Sequence, residues 1–416
     1  MNSSTLQTTC CVAGGGPAGI MAGFLLARAG VRTIVLERHR DFFRDFRGDT
    51  IHPSTLQIMH DLGLLDEFLK LPHEKVRSLR VLIGDTEIQV ADFGHLPSVC
   101  KYIALMPQWD FLNFLAEQGR RYPGFDLHME TEATDLIVEG DRVVGLRANS
   151  AGGPIEIRAD LVIGADGRHS TVRERAGFQV TSLGAPMDVL WMRLTRHPHD
   201  PEQTGGFMNY GHLLVTLNRG DYWQCAFVIR KGGYDEVCAR GLDAFRAEIV
   251  KLAPYLADRV QELKDWNDIK LLTVAVDRLT RWWRPGLLCI GDAAHAMSPI
   301  GGVGVNLAVQ EAVAAANILA IPLREGRLTT GDLEAVQRRR TFAMKIVQGM
   351  QLVVQSRIVD PLLDSDKPVT APWVVRLFNR FPFLRRIPAR IVGIGVRPEH
   401  VHSPEPAPPV GALAQS

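Results

Sequence analysis

Short apolar runs closed by glycine alternate with longer runs of helical period along the first part of the chain. Thr9 to Ala13 is an apolar run of strand length. Ile20 to Ala29 is rich in Ala, Leu and Met and reads as a helix that stops at Gly30, and Val31 to Leu36 reads as a second strand with Glu37 at its end. Asp160–Ile163 and Leu287–Ile290 are two further strand-length runs, each passing directly into glycine. In the middle of the chain Asp188–Arg193, His212–Leu217 and Tyr222–Ile229 are rich in β-branched, aromatic and apolar residues and predict strands, while Leu242–Lys251 predicts a helix. Val303 to Leu323 is the most apolar long stretch. Asn306, Gln310, Glu311 and Asn317 interrupt it, so it predicts a buried helix and not a membrane span. A helical stretch follows from Asp332 to Leu363, then a proline-broken segment from Asp364 to Arg390. The proline-rich tail from Ser403 to Ser416 is expected to be disordered. The chain has no internal repeats.

A chain of 416 residues buries a large core and fits two domains. Hydrophobic residues at 46% and charged residues at 22% are ordinary for a globular protein, and a net charge of +1 gives no reason to expect nucleic acid. None of Cys10, Cys11, Cys100, Cys225, Cys238 and Cys289 forms a C-x-x-C pair, so no metal is expected and the thiols read as reduced. The first residues are polar and lead into a strand with no signal-peptide pattern, so a cytoplasmic protein is expected.

Three motifs carry the chemistry. The first is Gly14-x-Gly16-Pro17-Ala18-Gly19, set between a strand and a helix, with the acid Glu37 closing the next strand. In such a turn the first glycine permits the bend, the second lets backbone approach a pyrophosphate, and the third lets the helix pack closely. The helix N-terminus offers N–H groups to phosphate, and a carboxylate at the position of Glu37 accepts from an adenosine ribose. The second motif is Gly164-Ala165-Asp166-Gly167, after which Ser170 is placed to cap a helix beginning near Thr171. The third is Gly291-Asp292-Ala293-Ala294-His295, followed by Pro299, Gly301-Gly302-x-Gly304 and Val305-Asn306. A second glycine-preceded helix N-terminus suits a ring system that gains negative charge on reduction. His295 reads as a packing residue.

With these motifs in this order, the chain resembles the flavin-dependent aromatic hydroxylases of the para-hydroxybenzoate hydroxylase type, the class A flavoprotein monooxygenases. The resemblance covers about residues 10 to 320 and is specific at the three motifs. It implies an α/β fold: a Rossmann-type FAD-binding domain, an inserted mixed β-sheet substrate domain and a helical C-terminal region. The expected boundaries are 1–75, 98–177 and 277–365 for the discontinuous FAD-binding domain, 76–97 and 178–276 for the substrate domain, and 366–416 for the C-terminal helical segment and tail. The resemblance further implies that Gly14, Gly16, Pro17, Ala18 and Gly19 take the FAD pyrophosphate, and that Glu37 with Arg38 serves the adenosine end. Arg47 would contact the ribityl and phosphate portion, and Gln108 would face the cofactor from a helix. Asp166 would serve a turn shared with the nicotinamide. Gly291 and Asp292 would bind the ribityl or pyrophosphate part, and Pro299, Gly301, Gly302, Gly304, Val305 and Asn306 would line the ring.

The implied reaction is NADPH- or NADH-dependent hydroxylation of an aromatic or conjugated hydrophobic small molecule, with dioxygen, through a C4a-hydroperoxyflavin. Met192, Phe207, Tyr210, His212 and Trp223 are the candidate pocket residues. Tyr210 and His212 are also candidate bases for a phenol, or else satisfied sheet residues. Two other functions share the cofactor motifs: a reductase of the geranylgeranyl-reductase type, and a non-catalytic binding or escort protein. A halogenase would carry a Trp-x-Trp-x-Ile-Pro stretch, and Trp223 stands alone. The unit is expected to be a monomer or homodimer. The segment Val374–Arg397 mixes large apolar residues with arginines and reads either as a helical cover on the FAD domain or as a weak membrane-surface contact.

Overall fold

The strand-length apolar runs that end in glycine become neighbours in one sheet. The computed structural model describes residues 4–43, 50–202, 204–364 and 367–405. At the centre of an eight-stranded sheet lies Ser4–Ala13, paired in parallel with Gly153–Gly164 on one side and Thr33–Leu36 on the other. Leu287–Cys289 adds in parallel beyond Gly153–Gly164, and Phe125–His128 beyond Thr33–Leu36. The register aligns their ends: Ala13 pairs with Gly164 and with Leu36, and Gly164 pairs with Cys289. Every motif therefore leaves the same carboxyl edge, where open parallel sheets bind their ligands. Ser4–Ala13 is longer than the apolar run predicts, because Ser4 to Thr8 pair with the first half of Gly153–Gly164.

The first helix spans Pro17–Arg28, with proline at its first turn, and packs against the helix Gly304–Arg324. That second helix is long and apolar enough to cross a bilayer, but most of it is buried inside the fold.

A second sheet of seven strands forms a roof. Its order is Lys270–Leu272, Met187–Thr195, Tyr222–Arg230, His212–Asn218, Gly205–Asn209, Ser78–Ile83, Thr86–Asp92. Only Gly205–Asn209 with Ser78–Ile83 is a parallel pair. Side chains alternate between its faces. Leu190, Met192, Trp223, Cys225 and Phe227 pack on the helix Leu242–Leu252 through Phe245 and Ile249. Val189, Leu213, Ala226 and Val228 point the other way, with Ile300 of the third motif and with Val359 and Leu362.

The C-terminal region covers the roof's edge as well as the FAD domain, where Val392 packs on the main core and its carbonyl meets His52. Helices Trp373–Arg380 and Arg386–Gly393 both pack on the roof's edge strand Thr86–Asp92, burying Ala371 and Ala389 against Ile83, Ile88, Ala91 and Phe93. The residues after them return to the first domain. Glu399 pairs with Arg339 and the buried Arg340, and Glu405 pairs with Arg28. The tail expected to be disordered from Ser403 is thus held as far as Glu405, because Arg28 also donates to the Ser403 carbonyl.

Candidate functional site

The first turn is built so that only glycine fits at two of its positions. Gly14 has φ +104°, and a Cβ there would stand 2.4 Å from the Ala165 carbonyl oxygen. At Gly19 it would stand 1.8 Å from the Gly14 oxygen. Gly16 differs: a Cβ built on it meets nothing within 4 Å. The open space lies at the N-terminus of Pro17–Arg28, where the Ala18 and Gly19 N–H groups have no intrahelical acceptor. Glu37 is buried at the end of its strand, accepting from the Gly15 N–H at 3.2 Å and the His39 N–H at 3.0 Å. Arg38 points outward to Glu132 at 3.8 Å, so of the two residues named for the adenosine end it is Glu37 that faces the turn. Gln108 opens the helix Gln108–Arg120 and is half-buried. Arg47 lies outside the described residues.

Asp166 closes the second turn. Its carboxylate accepts from Ser170 Oγ at 2.5 Å and from the Val172 N–H at 3.0 Å, and Ser170 caps the helix Thr171–Arg175 by accepting from Arg173 N–H. Burial raises the Asp166 pKa above the usual carboxylate value, and these hydrogen bonds oppose the rise. Asp292 sits in the turn Gly291–Ala293 with 35% of its side chain exposed, 3.7 Å from Arg168. Its pKa is also raised by burial, and Arg168 is the main opposing charge.

Behind this turn is a pair that the sequence did not reveal. Glu311 of Gly304–Arg324 accepts from the Gly291 N–H at 2.8 Å and lies 2.6 Å from His295 Nε2. Burial lowers the His295 pKa, but the Glu311 carboxylate more than offsets this and leaves it above the ordinary value. The available signal was a lone acid inside a long apolar helix.

The loop from Ser298 to Gly304 is clamped from behind. Gln351 donates to the Ser298 and Ile300 carbonyls at 2.8 and 2.9 Å, Gln355 to Ser298 Oγ at 2.9 Å, and Gln348 to the Ala296 carbonyl at 3.2 Å. In front, Thr50 donates to the Gly302 carbonyl at 2.9 Å. Asn306 is engaged within the protein: its oxygen accepts from the His52 N–H and from Thr55, and its amide donates to the Thr50 carbonyl. Pro299, Gly301 and Gly302 form the bend, and Val305 is buried in the helix start. A Cβ on Gly304 would meet nothing within 4 Å. Two helix N-termini thus face open space along one sheet edge, with Glu37 at one end and Asp292 between. This donor set fits an extended dinucleotide with a pyrophosphate and a redox ring.

The five candidate pocket residues point away from this edge. Met192, Phe207 and Trp223 belong to the face under Leu242–Leu252. Trp223 donates to the buried Asp200, which is clasped by Arg259. His212 is 3.9 Å from Glu248, and the Tyr210 ring carries Lys251 above it, both partners being on that same helix. Side-chain alternation is the reason: Met192 pairs with Cys225, while the neighbouring pair Trp191 and Ala226 looks toward Ile300. The opposite face carries Trp191, Met208, Leu213, Val215, Ala226 and Val228, packed with Ile300, Val359 and Leu362.

Comparison with known proteins agrees with this geometry. Residues 7–350 match the family described as FAD binding domain. The chain is 33% identical over 391 residues to 6-methylpretetramide 4-monooxygenase of Streptomyces rimosus, covering 92% of each protein. It is 27% identical to an aromatic compound monooxygenase of Bacillus subtilis, YhjG, of which it spans only 59%. Among solved structures, PqsL of Pseudomonas aeruginosa superposes with a TM-score of 0.74 at 22% identity, over 86% of this chain and 97% of that one. At that identity the likeness shows the fold alone.

Proposed function

This chain belongs to the FAD-binding family of flavin-dependent aromatic monooxygenases, and we propose that its substrate is a bulky apolar aromatic molecule held between the roof and the Ser298–Gly304 loop. The protein is an FAD-dependent oxidoreductase that uses NAD(P)H and dioxygen. Bound FAD supplies the two-electron chemistry that activates oxygen and delivers one atom to the ring.

The chain's own residues hold and shape that chemistry. In this reading the Gly14–Gly19 turn and the N-terminus of Pro17–Arg28 take the pyrophosphate, Glu37 takes the adenosine ribose, and Asp292 takes the ribityl hydroxyls. The N-terminus of Gly304–Arg324 faces the ring and favours the negative charge it gains on reduction. The glutamine clamp fixes that N-terminus in place. The roof excludes water from the reacting face.

The observation that carries the substrate class is the apolar inner face of the roof. Trp191, Met208, Leu213, Val215, Ala226 and Val228 form one apolar cluster with Ile300. Such a lining binds by area and not by a charged anchor. The name of the Streptomyces rimosus relative supplies the first compound to try, 6-methylpretetramide. The proposed unit is a monomer or a homodimer. A cytoplasmic setting suits six free cysteines.

The test is oxygen-dependent NAD(P)H oxidation by FAD-loaded protein, with and without 6-methylpretetramide, other polycyclic aromatics, and small charged benzoates. Stimulation and product hydroxylation by the polycyclic compounds are expected. Stimulation by the charged benzoates alone would refute the substrate class. Substrate reduction without oxygen would refute the monooxygenase reading.

A further inference from the structure

The outer side of the C-terminal region is an apolar surface ringed by positive charge. Trp373 is 74% exposed, Phe383 61% and Ile387 59%, and Phe381 is exposed beside them. Isolated exposed apolar residues are ordinary, but four large ones in fifteen residues of chain are not. The inner sides of both helices are spoken for. Val375 and Phe378 pack with Val81 and Val90, and Ala389 and Val392 pack with Phe93 and Leu96. Both helices lie on the same strand, Thr86–Asp92, so their outer sides look the same way.

Within the two helices the charge has one sign. Trp373, Arg376 and Arg380 share a face of the first helix by their spacing, and Arg386 and Arg390 share one on the second. All four arginines are exposed. From Trp373 to Arg397 the sequence contains no Asp or Glu. Arg380 lies 5.7 Å from the Phe381 ring, a stem-along-apolar arrangement with the cation at the rim.

We propose that this face, formed by Trp373–Arg380, the turn Pro382–Arg385 and Arg386–Gly393, docks the enzyme on an anionic lipid bilayer. Large apolar side chains enter the headgroup boundary while arginines pair with lipid phosphates, which is the composition of interfacial helices. An acidic soluble partner would satisfy the arginines but would leave a projecting set of Trp, Phe and Ile to find matching pockets. A bilayer satisfies both at once. Met208 belongs both to Phe378's cluster and to the apolar cluster on the roof's inner face. The proposal does not depend on which aromatic compound the enzyme oxidises.

The experiment is sedimentation of the FAD-loaded full chain with vesicles of phosphatidylcholine alone and with a quarter phosphatidylglycerol, at low and high salt. Wild type should bind the anionic vesicles at least about tenfold better than the neutral ones, and lose most of that at high salt. The pair Trp373→Ser with Phe383→Ser, and separately Arg380→Glu with Arg386→Glu, should each weaken binding by about tenfold or more. Unchanged flavin content and unfolding midpoint establish that these variants remain folded. Equal binding to both lipids, no binding to either, or binding indifferent to both variant pairs would overturn the proposal. Self-association lost in the Trp373–Phe383 pair, without vesicle binding, would overturn it in favour of an interface between two copies.

Discussion

Glu311 holds His295 with one carboxylate oxygen, at 2.6 Å, and the Gly291 N–H with the other, at 2.8 Å. Both side chains are buried, so the pair ties the start of the third motif to the helix that follows it. Removing one partner of a buried pair leaves the other without compensation, at about 3–5 kcal/mol. Glu311→Ala should lose stability on that order and release FAD more readily, whereas Glu311→Gln keeps an acceptor for Gly291 and should lose less. Urea unfolding with flavin fluorescence reads both. An unchanged midpoint in Glu311→Ala would remove the pair from the account.

The two glycines of the first turn should fail differently. Gly14→Ala forces a positive φ and a clash with the Ala165 carbonyl, so it should destabilise the fold itself. A Cβ on Gly16 meets nothing within 4 Å, so Gly16→Val should push its branches into the space proposed for pyrophosphate. It should yield folded but colourless protein, with FAD affinity down by about tenfold or more. Circular dichroism and absorbance near the flavin band separate the two. A yellow Gly16→Val would contradict the cradle.

Adjacent residues on one roof strand should give opposite phenotypes. Met192→Ala empties a core position and should cost about 2–5 kcal/mol with little change in the kinetics of the folded fraction. Trp191→Ala should lower kcat/KM for the aromatic substrate by about tenfold or more, with a smaller effect on stability. Steady-state kinetics beside thermal unfolding decide it, and the reverse pattern would restore the opposite face as the pocket.

Acid should weaken the protein through His52. Burial lowers its pKa to about 4, opposed only in part by the Nδ1–H bond to the Val392 carbonyl. Between about 6.5 and about 4 the unfolded chain binds more protons than the folded one, so stability falls as pH drops through that window, by on the order of 3 kcal/mol. His295 has the opposite sign. Its raised pKa adds stability that is complete below about 6.5 and is lost as pH rises through the folded value. His52→Asn, which keeps an N–H for Val392, should flatten the acid limb of a stability profile measured by urea titration. An acid limb as steep as wild type would exclude His52 as its source.

The cofactor edge was legible because close backbone approach leaves a mark in sequence. Gly14 and Gly19 stand where a Cβ cannot, Gly291 holds a positive φ, and Ser170 stands where a helix needs a cap. The roof was legible as strands but not as faces. Both of its sides are covered, so Leu190, Trp191 and Met192 are all apolar and the period of two carries no sense of inside. Gln348, Gln351 and Gln355 lie on one helical face, yet nothing local says that their partners are carbonyls and a serine hydroxyl some 50 residues earlier. The C-terminal segment was legible as a mixture of apolar residues and arginines, but its seat on the roof's edge depends on Ile88 and Phe93, which only the folded sheet presents to it.

The order of strands in the central sheet also sets a schedule for the ribosome. Ser4–Ala13 is made first, but its long partner Gly153–Gly164 emerges some 150 residues later, and Leu287–Cys289 later still. Pairings this distant in sequence form slowly. Until then the nascent strand can pair only with Thr33–Leu36 and keeps its other edge open, a hazard for aggregation during synthesis. Recombinant yield should therefore respond to slower translation or added chaperone before it responds to added riboflavin.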